Sequence, residues 1–356
     1  MKDKSLLRKR LKRAALLVLL LCVAGLGESL AQNQVAILQH GEETTAFYGA
    51  NAFVQAHTAA VDGDIITLSG LSFNVPSEVT KSITLRGAGV TADTVAGTQA
   101  TVLSGVTFNV PYVNDSITLS VEGISFIGST HMKSLVSPVF TKCNFDAISG
   151  NSYYPSSDAQ FINCKICSFN CYYFTNTTFI NSVVNSCSFA SSSYNVLAYN
   201  SILRYSTNVN CFGFEGLSAY NSILINDATN STYHQYPAST CVFVNCIGIE
   251  VYYIVFNGYT SNCITTDENG NALTYADVFE TYDGTSDYYD DEPYTLTEFA
   301  SGFMGTDGTQ VGIYGGGYAP YTDKPSYVVR TQVTVPNRSN NEGKLNVEIE
   351  IIDEDE

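Results

Sequence analysis

FTKC (140–143), FINC (161–164), FINS (179–182), AYNS (198–201), AYNS (219–222) and FVNC (243–246) are six returns of one four-residue phrase. Its Asn members stand at 163, 181, 200, 221 and 245, so the steps are 18, 19, 21 and 24 residues. A period near twenty, with apolar and Asn residues at fixed offsets, marks a stacked solenoid. Helical solenoids repeat at about 33 to 47 residues. The Ala-, Leu- and Glu-rich composition of helices is also missing, while Ser, Thr, Asn, Val, Ile, Tyr and Phe dominate. The expected fold is all-β, a parallel β-helix whose coils stack ~4.8 Å apart. Phe140, Phe161, Phe179 and Phe243 form one column, and Ile166, Val184, Leu203 and Leu224 another. Asn163 to Asn245 are expected to form a ladder of amides bonding up and down at a corner.

Upstream, LSGLSFNVP (68–76) returns as LSGVTFNVP (103–111), and SITL (82–85) returns at 116–119. Leu68, Leu85, Leu103 and Leu119 step by 17, 18 and 16 residues, which reads as one coil per step. Before them, Phe53, Ala56 and Ala60 in the Ala-rich stretch 47–61 stand at helical spacing. A short helix there would cap the open end, as stacked repeats require. After Cys263 the rhythm stops. Residues 264–300 are acidic and Tyr-rich, residues 301–321 are Gly-rich, and two strand signals at 327–336 and 344–352 suggest a C-terminal hairpin. The organisation expected is a signal peptide at 1–31, the β-helix at 45–263, an irregular closing segment at 264–322 and a strand pair at 323–356.

The leader carries Lys2, Lys4, Arg8, Lys9, Arg10, Lys12 and Arg13, then the apolar run Ala14 to Leu26, then Ser29-Leu30-Ala31. That order is a secretory signal, and the run is shorter than the ~20 residues a bilayer span needs. Acylation at Cys22 is the competing reading, but Leu21 stands where that signal takes a small residue. The expected location is therefore secreted or cell-surface, with no transmembrane segment. Without the leader the chain keeps 10 basic and 32 acidic residues, a net charge of −22. Such a surface repels nucleic acid and anionic lipid.

Nine Cys remain after cleavage. The fourth position of the phrase alternates Cys and Ser (Cys143, Cys164, Ser182, Ser201, Ser222, Cys246), which asks for a small buried side chain. Buried thiols are the favoured reading, and a bridge between Cys143 and Cys164 on adjacent coils is the alternative. Cys164, Cys167 and Cys171 lack a fourth ligand for zinc.

GDIITLSGLSFNVPSEVTKSITLRGAG (63–89) resembles the opening coils of pectate-lyase-like right-handed parallel β-helix proteins. GTDGTQVGIYGGGYAPY (305–321) resembles the close of exported surface β-helix proteins of the Bacteroidetes. The resemblance covers roughly 45–322 and is specific for architecture. It implies either a polysaccharide-active enzyme or a surface protein without catalysis, and fold alone does not decide.

The paired acids of a polygalacturonase-like site are missing, because no N-T-D, G-D-D, G-H-G or R-I-K motif occurs. Between 137 and 263 the acids are Asp146, Asp158, Glu215, Asp227 and Glu250, and the bases are Lys142, Lys165 and Arg204. They fall at scattered offsets in the repeat. Asp227 and Glu250 come nearest to a pair, yet neighbouring offsets face opposite ways. No catalytic residue is assigned. Tyrosines are the remaining candidates, with Tyr153, Tyr154, Tyr172, Tyr173, Tyr288 and Tyr289 expected to present rings for ligand binding. Ordinary packing of the same rings is the competing account. No cofactor is expected, and Tyr288-Tyr289-Asp290-Asp291-Glu292 is the one stretch that could offer oxygens to Ca²⁺. The reading is a non-catalytic surface or extracellular module whose partner is a glycan or a cell-surface protein. The alternative is a polysaccharide lyase or glycoside hydrolase acting on an acidic polysaccharide.

Overall fold

A computed structural model of the chain describes residues 34–92, 99–110, 118–151, 153, 155–171, 174–189, 195–205, 216–226, 240–251, 254–284, 293–317, 329–334 and 348–353. The fold is all-β, a parallel β-solenoid of about 7 turns with few helices. Two sheets run the length of the stack. The larger has twelve strands, ordered Glu43–Tyr48, Val35–His40, Ile65–Leu68, Thr84–Arg86, Ser120–Glu122, Val139–Thr141, Gln160–Ile162, Thr178–Ile180, Val196–Tyr199, Leu217–Tyr220, Cys241–Val244 and Gly258–Ser261. The second holds eleven strands, among them Ser125–Lys133, Asn144–Ser149, Lys165–Cys171, Ile202–Tyr205, Ile223–Asn226 and Ile247–Glu250.

The repeated phrase is the corner between these sheets. Its first residues end a strand of the large sheet, its Asn turns the chain, and its Cys or Ser leads into the second sheet. Lys142, Asn163, Asn181, Asn200, Asn221, Asn245 and Asn262 all have φ between 47° and 53°. That left-handed conformation is what Asn tolerates better than other side chains, and this is why Asn recurs.

Both expected columns point inward. Phe140, Phe161, Phe179 and Phe243 are fully buried, as are Ile166, Val184, Leu203 and Leu224. Phe161 stacks on Phe140 at 5.3 Å and on Phe179 at 5.4 Å, and meets Phe145 and Phe169 edge-on. The Cys/Ser column lies inside as well, and it is a hydrogen-bond ladder. Ser182 and Ser201 Oγ accept from the backbone N–H of the preceding coil, at Cys164 (3.0 Å) and Ser182 (3.2 Å). Each hydroxyl or thiol also donates to the carbonyl two residues earlier, as Ser182 does to Ile180 at 2.9 Å and Cys246 to Val244 at 3.4 Å. Cys143, Cys164, Cys167, Cys241, Cys246 and Cys263 are free thiols.

The N-terminal leucines do not form one column. Leu85 aligns with Ile66 and Val121 in the large sheet, whereas Leu103 aligns with Phe73 and Phe126 in the second. The phrase LSG marks two different bends. At 68–70 it carries the chain between sheets. At 103–105 it turns Val102–Ser104 into Thr107–Asn109 through Gly105 at φ +64°, and both strands pair with Ser125–Lys133. Ser-Gly supplies a bend wherever it falls, so this repeat is one of turn chemistry.

The expected capping helix is present as α1 (Ala52–Ala59). Eight residues are too few for a stable isolated helix, so packing holds it, with Ala52, Phe53 and Ala56 fully buried. Lys81 Nζ closes its C-terminus by donating to the carbonyls of His57, Thr58 (3.1 Å) and Ala60 (2.5 Å). A hairpin, Val35–His40 with Glu43–Tyr48, adds two antiparallel strands to the first coil. Its outer strand is largely exposed and opens on Glu43, Thr44 and Thr45, which blunts a sheet edge. At the other end of the chain, Val329–Thr334 pairs antiparallel with Glu348–Asp353. No helix among the described residues is long and apolar enough to cross a membrane.

Candidate functional site

The segment after Cys263 returns along the outside of the solenoid. It covers the outer face of the second sheet, where Val183, Ile202, Ile223, Ile225, Ile247 and Ile249 meet Leu273, Val278, Phe279, Tyr282, Tyr294, Leu296, Val311 and Ile313. Two short helices sit in it, α2 (Tyr275–Val278) and α3 (Glu298–Ser301). Its Gly-rich end then runs up the corner column as a strap. Asn245 donates to Met304 O (3.1 Å), Asn221 Oδ1 accepts from Thr306 N (2.9 Å), and Asn181 donates to the carbonyls of Ile313 (2.9 Å) and Gly315 (2.7 Å). Among these amides the one vertical bond is Asn262 to Asn245 at 3.1 Å. The corner Asn column is thus a docking rail for the strap rather than a self-contained ladder. Glycine permits the close approach, because a Cβ on Gly315 would lie 1.6 Å from Gln310 O and 2.7 Å from Asn200 Nδ2.

This covering takes up two of the bases that a lyase would need. Lys165 is 2% exposed, with Nζ 6.0 Å from the centre of the Tyr294 ring. Arg204 donates to Asn185 Oδ1 (3.0 Å), Tyr282 OH (3.2 Å) and Gly284 O (3.1 Å). Of the acids, Asp146 accepts from Gly128 N and Glu250 from Val255 N, each a local cap. Asp227 and Glu215 lie outside the described residues. Among the described residues no three His, Cys, Asp or Glu side chains are grouped to hold a metal.

Among the described residues the opposite flank is uncovered. On the outer face of the large sheet a groove of ≈ 420 Å³ is lined by Asp158, Gln160, Asn176, Thr178, Asn195, Leu197, Gly216 and Ser218. It is built from a second left-handed corner, with Asp158 at φ 56°, Asn176 at 55°, Asn195 at 57° and Gly216 at 79°. Here a vertical ladder does form: Asn176 donates to Asp158 Oδ1 (2.9 Å) and Asn195 to Asn176 Oδ1 (3.1 Å). Asn176 keeps one N–H and one lone pair free for a ligand. Beside the ladder, Gln160, Thr178, Leu197, Ser218, Val242 and Tyr259 form one outward column through consecutive parallel pairings. Tyr259 is 63% exposed. In the next outward column Tyr199 and Tyr220 stack at 5.2 Å and 13°. Stacked on each other, they offer edges and hydroxyls outward more than open faces.

Of the six tyrosines expected to bind ligand, Tyr153 is 86% exposed, and its N–H donates to Asn151 Oδ1. Tyr154, Tyr172, Tyr173, Tyr288 and Tyr289 lie outside the described residues, and so do Asp290, Asp291 and Glu292. The Tyr-rich segment does spend Tyr282 and Tyr294 on packing against the sheet, since both are buried. The sequence alone places Asp158 among scattered acids and does not single out Asn176 or Asn195. The signal was available, because Ser137, Asp158, Asn176, Asn195 and Gly216 each stand five residues before a corner residue of the phrase. No protein-family model, curated protein or solved structure matches the chain.

Proposed function

We propose that the protein is an exported, non-catalytic binding module that holds an extended glycan along the outer face of its large sheet. The carrying observation is the Asp158–Asn176–Asn195 ladder beside Gln160, Thr178 and Ser218. It repeats amide and hydroxyl partners at the coil spacing of ~4.8 Å, which suits a polymer lying parallel to the solenoid axis. Tyr259 supplies an apolar surface at one end of the same column. The groove has one carboxylate and no Lys or Arg in its lining, and the mature chain is strongly acidic, so an uncharged glycan is favoured over a polyuronate. The resemblance to pectate-lyase-like surface β-helices and the secretory leader support a cell-surface or extracellular location. The engagement of Lys165 and Arg204 under the covering segment weighs against a lyase.

A glycan array followed by calorimetry tests this reading. Neutral polysaccharides should bind, and Asn176→Ala with Asn195→Ala should weaken binding at least tenfold, about 1.4 kcal/mol. Cleavage of a uronate polymer, followed by absorbance of the unsaturated product, would overturn it in favour of an enzyme.

A further inference from the structure

The Cys/Ser column carries a Cys pair at each end, and the two pairs differ in access. Cys143 and Cys164 lie between the matched pairs Thr141–Ile162 and Asn144–Lys165. Cys246 and Cys263 lie between Val244–Ser261 and Ile247–Ile264. Backbone bonds from Asn245 N to Ser261 O (3.0 Å) and from Ile264 N to Cys246 O (3.0 Å) fix that register. In both pairs the partners are one strand spacing apart, ~4.8 Å, within the ~4.4–6.8 Å Cα separation that a disulfide spans. Cys143 and Cys164 are both fully buried, as is Cys246, whereas Cys263 is partly exposed.

We propose that Cys246 and Cys263 close into a disulfide across the last rung of the solenoid when the protein meets a small disulfide oxidant, while Cys143 and Cys164 remain thiols. The neighbouring Cys246 thiol lowers the Cys263 thiol to about 7, and Cys263 is the more exposed of the two, so Cys263 is the nucleophile. Burial pushes the Cys143 and Cys246 thiols up. The Cys263 thiolate attacks one sulfur of a disulfide such as oxidised glutathione, forming a mixed disulfide and releasing one glutathione thiolate. Cys246 then gives its proton to water and attacks the Cys263 sulfur, and the second glutathione leaves as a thiolate that takes up a proton. Two protein thiols are oxidised and one small disulfide is reduced to two thiols. Oxidising compartments outside the cell supply such conditions.

The test uses the full chain, purified reduced and treated with oxidised glutathione at mildly alkaline pH. The expected product has two fewer free thiols, an intact mass lower by two hydrogens, and a peptide joining Cys246 to Cys263. Cys246→Ser should stop at a glutathione adduct on Cys263, and Cys263→Ser should give neither an adduct nor a bridge at Cys246. Serine already fills this column at Ser182, Ser201 and Ser222, so both variants keep the ladder. A bridge between Cys143 and Cys164, a wild-type chain that stops at the glutathione adduct, or an unchanged thiol count in a chain still folded by circular dichroism would each overturn the proposal.

Discussion

Asn221 does two jobs that substitution can separate. Its backbone sits at φ 50°, and its Oδ1 accepts from Thr306 N at 2.9 Å and Thr306 Oγ1 at 3.3 Å. Asn221→Gly keeps the left-handed turn and removes the strap bonds. Losing them costs about 1–3 kcal/mol, and the added freedom of glycine in the unfolded chain costs roughly 0.5–1 kcal/mol more. Asn221→Ala loses the same bonds and pays roughly 1–2 kcal/mol for the left-handed conformation. Alanine should therefore be the worse of the two by about 1 kcal/mol. Lys142 occupies the same corner at φ 50°, two coils short of the strap's last contact at Asn181. Lys142→Gly should therefore stabilise by about 0.5–1 kcal/mol net, the relief of strain less the entropic cost of glycine. Urea unfolding gives the energies, and amide exchange at Thr306 reads the strap bond directly. Both Asn221 variants should lose Thr306 protection. If protection persists in both, or if alanine is tolerated as well as glycine, the account of this column is wrong.

Three further outcomes are expected. Phe161→Ala removes the ring held between Phe140 and Phe179 and should cost about 3–5 kcal/mol in urea unfolding. Gly315→Ala cannot keep its contact with Gln310 O, so the strap should lift, losing the two Asn181 bonds at ~1 kcal/mol each; limited proteolysis should then cut 302–317 faster while the β circular dichroism is unchanged. Burial first, and Lys81 second, lower the pKa of His57 from 6.5 to about 4. The unfolded chain therefore takes up this proton before the folded one does, and stability should fall as pH drops from about 6.5 to about 4. His57→Gln should flatten that part of the melting-temperature profile.

The repeated phrase revealed the solenoid because its Phe, Asn and Cys/Ser offsets report three environments at one corner: core ring, left-handed turn and inner hydrogen bond. The N-terminal phrase LSG misled because Ser and Gly encode a bend without saying between which strands. The covering segment was legible in principle. Val183, Ile202, Ile223 and Ile247 stand next to the inward column, so their strands are apolar on both faces, which signals burial on both sides. What covers that face was not legible, because the contacts of Asn181 with Ile313 and Gly315 join residues more than 130 positions apart. The groove was overlooked for another reason. Asn176 and Asn195 lie outside the quoted phrase, whereas paired tyrosines are conspicuous in sequence although their position on the coil is not.

The strap also constrains how this chain can change length. In a solenoid with contacts only between neighbours, a coil can be gained or lost at little cost beyond its own two interfaces. Met304, Thr306, Gln310, Ile313 and Gly315 meet Asn245, Asn221, Asn200 and Asn181 in order. That sequence works as a ruler laid against four rungs. Duplicating or deleting one coil between Asn181 and Asn245 would throw every later contact out of step, whereas among the described residues the coils before Lys142 meet no such gauge. A coil should therefore be inserted or removed at least cost in the N-terminal half of the stack.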